Sequence, residues 1–327
     1  PMPGFGRALA KWIGLCWLGM LALLAADAAS QVDGRRRVSM AWLAGAALAA
    51  VVAWCVTIAF YLGDAARGLV GPLLSHYGSL PPGPYPRIRG VFANANMFGL
   101  FLLLSVAVAL HARDAGWWDA RRLRGFLVLV SLPLLATASP AISATLLLLV
   151  VHHARRTDPG GWTTRPAVLL AAGLVALNLL GLSINPAAPF AEPSVRAQLW
   201  SQALAAWQAA PWTGQGLGSP AIQVFYTAPD GQLQMLDDAH NTWLNLGVQG
   251  GILAPVLFAM VVATACWATR DEPAKAALRW GILLVAACLC LSSSFEDARV
   301  LWILLGLSAG AGSLAALPVR QQHDRHG

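Results

Sequence analysis

The chain has 327 residues, 57% of them hydrophobic and only 11% charged, with a mean hydropathy of +0.59. Soluble domains carry roughly 25% charged residues, so a water-soluble globular protein is excluded and a polytopic membrane protein is indicated. The net charge of +7 does not signal a nucleic-acid partner, because the basic residues stand in short clusters between apolar runs, the pattern that orients helices in a membrane.

Apolar runs long enough to cross a ~30 Å hydrocarbon core, about 20 helical residues, fall first near 12–26, 40–62 and 91–111. The run 125–151 is too long for one span and is interrupted at Ser139-Pro140, which predicts a tight hairpin of two short helices. Further spans fall near 166–184, 242–266, 280–294 and 300–316, making about nine in all. No run alternates as a barrel strand would, and the Ala, Leu, Val and Gly content suits helices packed through small residues. The expected fold is therefore an all-α polytopic membrane protein, with residues 1–327 as a single integral membrane domain. The five cysteines all lie in apolar segments, and Cys288 and Cys290 point to different faces of a helix, so no disulfide or metal site is expected.

Two longer stretches fall outside the spans. Residues 63–90, rich in Pro and Gly, predict an ordered non-helical loop over the bundle. Residues 185–241 contain PSVRAQLWSQALAAWQAAP, with Pro193 and Pro211 as stop signals, which predicts a helix over 194–210. Its Arg196, Trp200, Ala203 and Trp207 recur at helical spacing, as in a helix lying in the membrane interface.

Placing Arg35, Arg36 and Arg37 in the cytoplasm and alternating sides at each span puts the loops 112–124, 152–165 and 267–279 and the C-terminal tail on the same side. That side then holds 15 of the 22 Arg and Lys residues. The opposite loops keep only Arg67, Arg87, Arg89, Arg196 and Arg299. Arg7 and Lys11, before the first span, also fall there and are the one poor fit to the rule. Of seven histidines only His76 and His240 lie on this second side.

His240 stands in DDAHNTW at the start of a span, where a neutral imidazole can accept a proton. Arg87 and Arg89 precede GVFANANMFGL, whose Asn94 and Asn96 open another span, and arginine is suited to bidentate capture of phosphate. Glu296, Asp297 and Arg299 lie in the short last exterior loop. GQGLGS is not a nucleotide loop, because no strand precedes it; it reads as a tight turn. A transporter or flippase would place ionisable groups at mid-bilayer depth, where the spans offer only amides such as Asn178 and Asn245.

RIRGVFANANMFG resembles the Arg-x-x-Gly-x-Phe-x-x-x-Asn signature of the O-antigen ligase and polymerase-like superfamily. RAQLWSQALAAWQAAPWTGQGLGS is similar to that family's exterior helix with its Gly-x-Gly-x-Gly turn, DDAHNTWLNLGVQGG to its His-Asn motif, and SSFEDARVLWILLGL to the acidic start of its last span. The four matches occur in the family's order across residues 87–310. The chain departs at Ser139-Pro140, where the family often has Ser-Arg, and it has fewer N-terminal spans than a typical ligase of about a dozen helices.

The resemblance implies a C-type glycosyltransferase fold in the bacterial inner membrane with its active site facing the periplasm. Such an enzyme transfers a glycan from undecaprenyl diphosphate to an acceptor sugar hydroxyl, as on lipid A-core, inverting the anomeric carbon. A polysaccharide polymerase or a protein O-oligosaccharyltransferase of the same fold would handle the donor identically. Carried over by position, the catalytic roles fall on His240, Arg89 and Arg196, with Arg87, Asn94, Asn96, Asn241, Trp200 and Glu296 as substrate-binding residues. No cofactor or metal is expected; the expected partners are the lipid-linked donor, the glycan acceptor and membrane lipids.

Overall fold

The computed structural model describes residues 5–31, 33–75, 85–157, 193–227, 233–291 and 293–310. His76, the expected span at 166–184 and the end of that at 300–316 lie outside the described residues. Among the described residues, three helices are long and apolar enough to cross a membrane: Gly6–Ser30 within α1 (Phe5–Ser30), α2 (Gly34–Tyr61) and α4 (Ala95–Asp114). A short α3 (Asp64–Val70) and a single 3₁₀ turn, Gly71–Leu73, lie between the last two. The region 63–90 is thus partly helical, not wholly a loop.

α4 forms the axis of the bundle. Asn94 caps its first turn by accepting from the Met97 amide at 2.9 Å. An apolar face wide enough to leave Leu100, Leu102, Leu103, Leu104, Val106 and Ala107 all buried then packs on its neighbours. Those neighbours are α2, α5 (Ala120–Ala136), α6 (Pro140–Thr157) and α10 (Ala276–Leu284), the last continued by a π-helical turn at Val285–Leu289. α5 and α6 are the expected hairpin, parted at Thr137–Ser139.

The run 242–266 is not one span. It divides into α8 (Thr242–Gly250) and α9 (Leu253–Ala268) because Gly251 adopts φ 61°. A side chain there would also collide with the Trp212 backbone. α11 (Arg299–Ala309) packs lengthwise on α1, and the close approach is made at Gly306 and Gly310, where a Cβ would strike the carbonyls of Ala22 and Ala26.

The long segment between α6 and α8 contains α7 (Pro193–Ala209), the helix expected over 194–210. It also contains an antiparallel β-hairpin, β1 (Val224–Thr227) with β2 (Leu233–Leu236), which the all-α expectation did not include. α7 buries Leu199 and Ala203 with Ile222, Val224, Ala239 and Val248 in a second small core. The face that buries is therefore the Leu199 and Ala203 face; Arg196 is exposed and Trp200 is 40% exposed.

The bundle has two chemically distinct ends. At one, Glu272 meets Arg35 at 3.2 Å and Lys275 at 2.5 Å, Arg156 meets Asp114 at 3.6 Å, and His111 Nδ1 lies 2.7 Å from the Ala274 carbonyl. These contacts tie together the four loops that the charge pattern assigns to one side. Asn94, at the other end of the ~30 Å long α4, faces the cavity described next.

Candidate active site

A cavity of about 460 Å³ opens at this second end, walled by five chain segments, one of them the GQGLGS turn with Gly218 and Ser219. The start of α1 supplies Arg7 and Lys11, the start of α4 supplies Asn94 and Asn96, the DDAHN segment and α8 supply Asp237, Asp238, His240, Asn245 and Gln249, and the loop before α11 supplies Ser293 to Asp297.

His240 is held in an uncommon backbone conformation, φ 45°, for a residue with a side chain. Asp238 sustains it: its Oδ1 accepts from the His240 amide at 2.6 Å and from the Ser294 hydroxyl at 3.0 Å. The same oxygen lies 3.4 Å from His240 Nδ1. A carboxylate on Nδ1 favours the tautomer that carries its proton there and leaves the Nε2 lone pair free. The His240 side chain is 40% exposed and lines the cavity.

The neighbouring residues fix this segment from both sides. Asn241, expected to bind substrate, is 5% exposed and caps α8 by accepting from the Trp243 and Leu244 amides at 3.0 and 3.1 Å. Trp200 donates from its indole N–H to the Ala239 carbonyl at 3.1 Å, so α7 braces the histidine segment from behind. Thr242 couples the segment to the acidic loop: its hydroxyl donates to the Ser293 carbonyl at 2.9 Å and accepts from the Phe295 amide at 2.8 Å. Trp302 donates to the Glu296 carbonyl at 2.7 Å.

Glu296 itself is 4% exposed. One carboxyl oxygen accepts from the Asn245 amide group; the other is buried with no hydrogen-bond partner among the described residues. Burial, reinforced by the adjacent Asp297, pushes its pKa up to about 7. Asn245 also reaches the Ala239 amide, at 3.5 Å, so the carboxyl and the histidine segment share one amide side chain.

The GQGLGS turn closes the cavity. Gly214 (φ 66°) and Gly218 (φ 71°) both need the left-handed conformation. A Cβ at 214 would come within 2.6 Å of the Gln249 carbonyl carbon, and one at 218 within 3.0 Å of Arg7 Cβ. The turn is therefore pressed against α8 on one side and α1 on the other.

Of the residues expected from the sequence, His240, Asn94, Asn96 and Glu296 come together around this space; Arg87, Arg89, Arg196, Trp200 and Asn241 do not line it. Arg87 donates to the Thr137 carbonyl at 3.2 Å at the tip of the α5–α6 hairpin. Arg89 donates to the Pro72 and Ala93 carbonyls at 3.2 and 3.3 Å. Both arginines thus stitch the exterior chain to the bundle. Residues to which the sequence reading gave no place in the site are Asp238, beside the histidine, Asn245, the partner of Glu296, and the cations of α1. The last had left a signal, as the poor fit to the charge rule.

Among known proteins, residues 93–259 match the family model described as O-antigen ligase. The O-antigen ligase of Pseudomonas aeruginosa is 28% identical over 286 residues, an alignment covering 81% of this chain and 62% of that protein. The chain thus spans about three-fifths of the length of that relative. The matched family region contains Asn94, Asn96, Arg196, Asp238 and His240, whereas Arg7, Lys11 and Glu296 fall outside it.

Proposed function

We propose that this chain, which belongs to the O-antigen ligase family, transfers a glycan from undecaprenyl diphosphate to a sugar hydroxyl of lipid A-core at the periplasmic face of the bacterial inner membrane. The observation that carries the reading is the Asp238–His240 pair lining a polar cavity at the end of the bundle away from the clustered cationic loops.

His240 Nε2 takes the proton of the acceptor hydroxyl while that oxygen forms a bond to the anomeric carbon. The bond from the same carbon to the diphosphate oxygen breaks, and its electron pair leaves with undecaprenyl diphosphate, so the configuration inverts. Asp238 stabilises the imidazolium formed. Because the histidine segment starts α8, the positive end of that helix's dipole lies beside the reacting groups. Diphosphate is a good leaving group, and cationic side chains offset the charge that grows on it, so the transfer needs no metal. Asn94, Asn96 and Glu296, which line the cavity, hydrogen-bond sugar hydroxyls.

The test offers purified protein a labelled undecaprenyl-diphosphate glycan with lipid A-core, a second glycan repeat and an acceptor peptide in competition, with and without chelator. Label on lipid A-core that persists with chelator is expected. Label on the repeat unit makes the chain a polymerase, and label on the peptide makes it a protein glycosyltransferase. Complete loss with chelator removes the metal-free mechanism.

A further inference from the structure

The cavity at His240 adjoins a second, apolar one. This second space, about 320 Å³, is lined by Gly14, Leu15 and Leu18 of α1 and, across from them, by Leu217, Leu246 and Ala254. The two share Ala10, Lys11, Gln249, Glu296 and Asp297 as a common wall. Along α1, Arg7, Lys11, Leu15 and Leu18 follow at i, i+4, i+8 and i+11, which places them on one face of the helix. That stripe is cationic at the outer end of the helix and apolar below it.

We propose that this stripe of α1 is the binding track for the lipid end of the donor: Arg7 and Lys11 hold the diphosphate, and the apolar space beside Gly14, Leu15 and Leu18 takes the first isoprene units. The inference rests on the proposed function and names the residues that carry out its donor binding. A polyprenyl diphosphate has the same sequence of properties as the stripe, with a dianionic head joined directly to an apolar chain. Residues four apart on a helix stand ~5–6 Å from each other at Cβ, so one side chain can reach each phosphate. The track also gives a function to the two basic residues before the first span, the poor fit to the charge rule.

The opposing carboxylates are largely accounted for. Asp238 is engaged by His240 and Ser294. Burial pushes the Glu296 pKa up to about 7, which weakens its repulsion. Asp237 and Asp297 are both exposed to solvent, where screening is strong. Arg87 and Arg89, by contrast, already donate to backbone carbonyls. Gly14 matters for a different reason: nothing lies within 4 Å of where its Cβ would be, so the groove is open at that level.

The test measures binding of undecaprenyl diphosphate and of inorganic diphosphate to the full chain in lipid nanodiscs, for the parent and for R7Q, K11Q, K11R and G14F. K11Q and R7Q are expected to weaken both ligands by roughly tenfold or more, the loss of a charge-assisted contact, while K11R restores binding. G14F is expected to weaken the lipid and leave inorganic diphosphate unchanged. Parent-like affinity of K11Q and R7Q for both ligands overturns the head-group site. Parent-like lipid binding by G14F overturns the apolar half. If the parent itself binds neither ligand, the proposed donor is wrong, which is distinguishable from parent binding that the variants share.

Discussion

A buried carboxyl with one oxygen bonded to an amide and the other unpartnered is a destabilised anion, and among the described residues Glu296 is in that position. Its pKa, raised to about 7 from 4.5, has a definite sign in stability. Below about pH 4.5 folded and unfolded chains are both protonated. Between there and 7 the folded chain keeps a proton the unfolded chain has released, so stability falls as pH rises, by an amount on the order of 3 kcal/mol, and is level above. Thermal unfolding should show a Tm that declines from pH 5 to pH 7 in the parent and a flatter profile in E296Q; equal slopes would mean the carboxyl is already charged in the fold. Asp238 has a different role. D238N keeps the shape but not the charge, and should lower kcat by up to about 10⁴-fold, the bound set by the same change in serine hydrolases, with KM for the donor little altered. An unchanged kcat would remove Asp238 from the mechanism. His240 was legible in the sequence because a polar residue at the start of an apolar run stands out. The pairing with Asp238 was not, since residues two apart fall on different faces of the helix that the apolar run predicts, and the left-handed turn at 240 that accompanies the contact leaves no signal in the sequence.

Elements transmit these constraints through close contacts at small residues. Gly247 of α8 admits the Trp207 ring of α7, and a Cβ there would lie 2.6 Å from the indole. Through Trp200, the same α7 holds the Ala239 carbonyl beside His240. G247V should therefore displace α7 at a cost of roughly 1–3 kcal/mol, lowering Tm and kcat together, and adding W207A should recover part of both. Parent-like Tm and kcat in G247V would contradict this bracing. Helix limits marked by proline, at Pro140 and at Pro193 and Pro211, were readable from sequence, because proline acts locally. The break at Gly251 was not: hydropathy continues across it, and glycine is ordinary within membrane helices. The β1–β2 hairpin escaped notice because its strands are only four residues each, too short to establish an alternating pattern.

Across the whole molecule, the charge pattern foresaw a bundle with two unlike ends, and the ion pairs around Glu272 and Asp114 do gather the four cationic loops at one of them. What it could not foresee is which cations line the cavity, because that depends on α11 holding α1 alongside through Gly306 and Gly310. Packing of helices remote in sequence thereby brings Arg7 and Lys11 to the cavity of His240. The central claim is that this imidazole is the base of a glycan transfer. Its most direct test is turnover of a labelled undecaprenyl-diphosphate glycan onto lipid A-core by purified H240A, alongside its binding of undecaprenyl diphosphate. A fall in kcat of about 10²–10⁴-fold with donor binding retained is the predicted result. Near-parent turnover in H240A would contradict it.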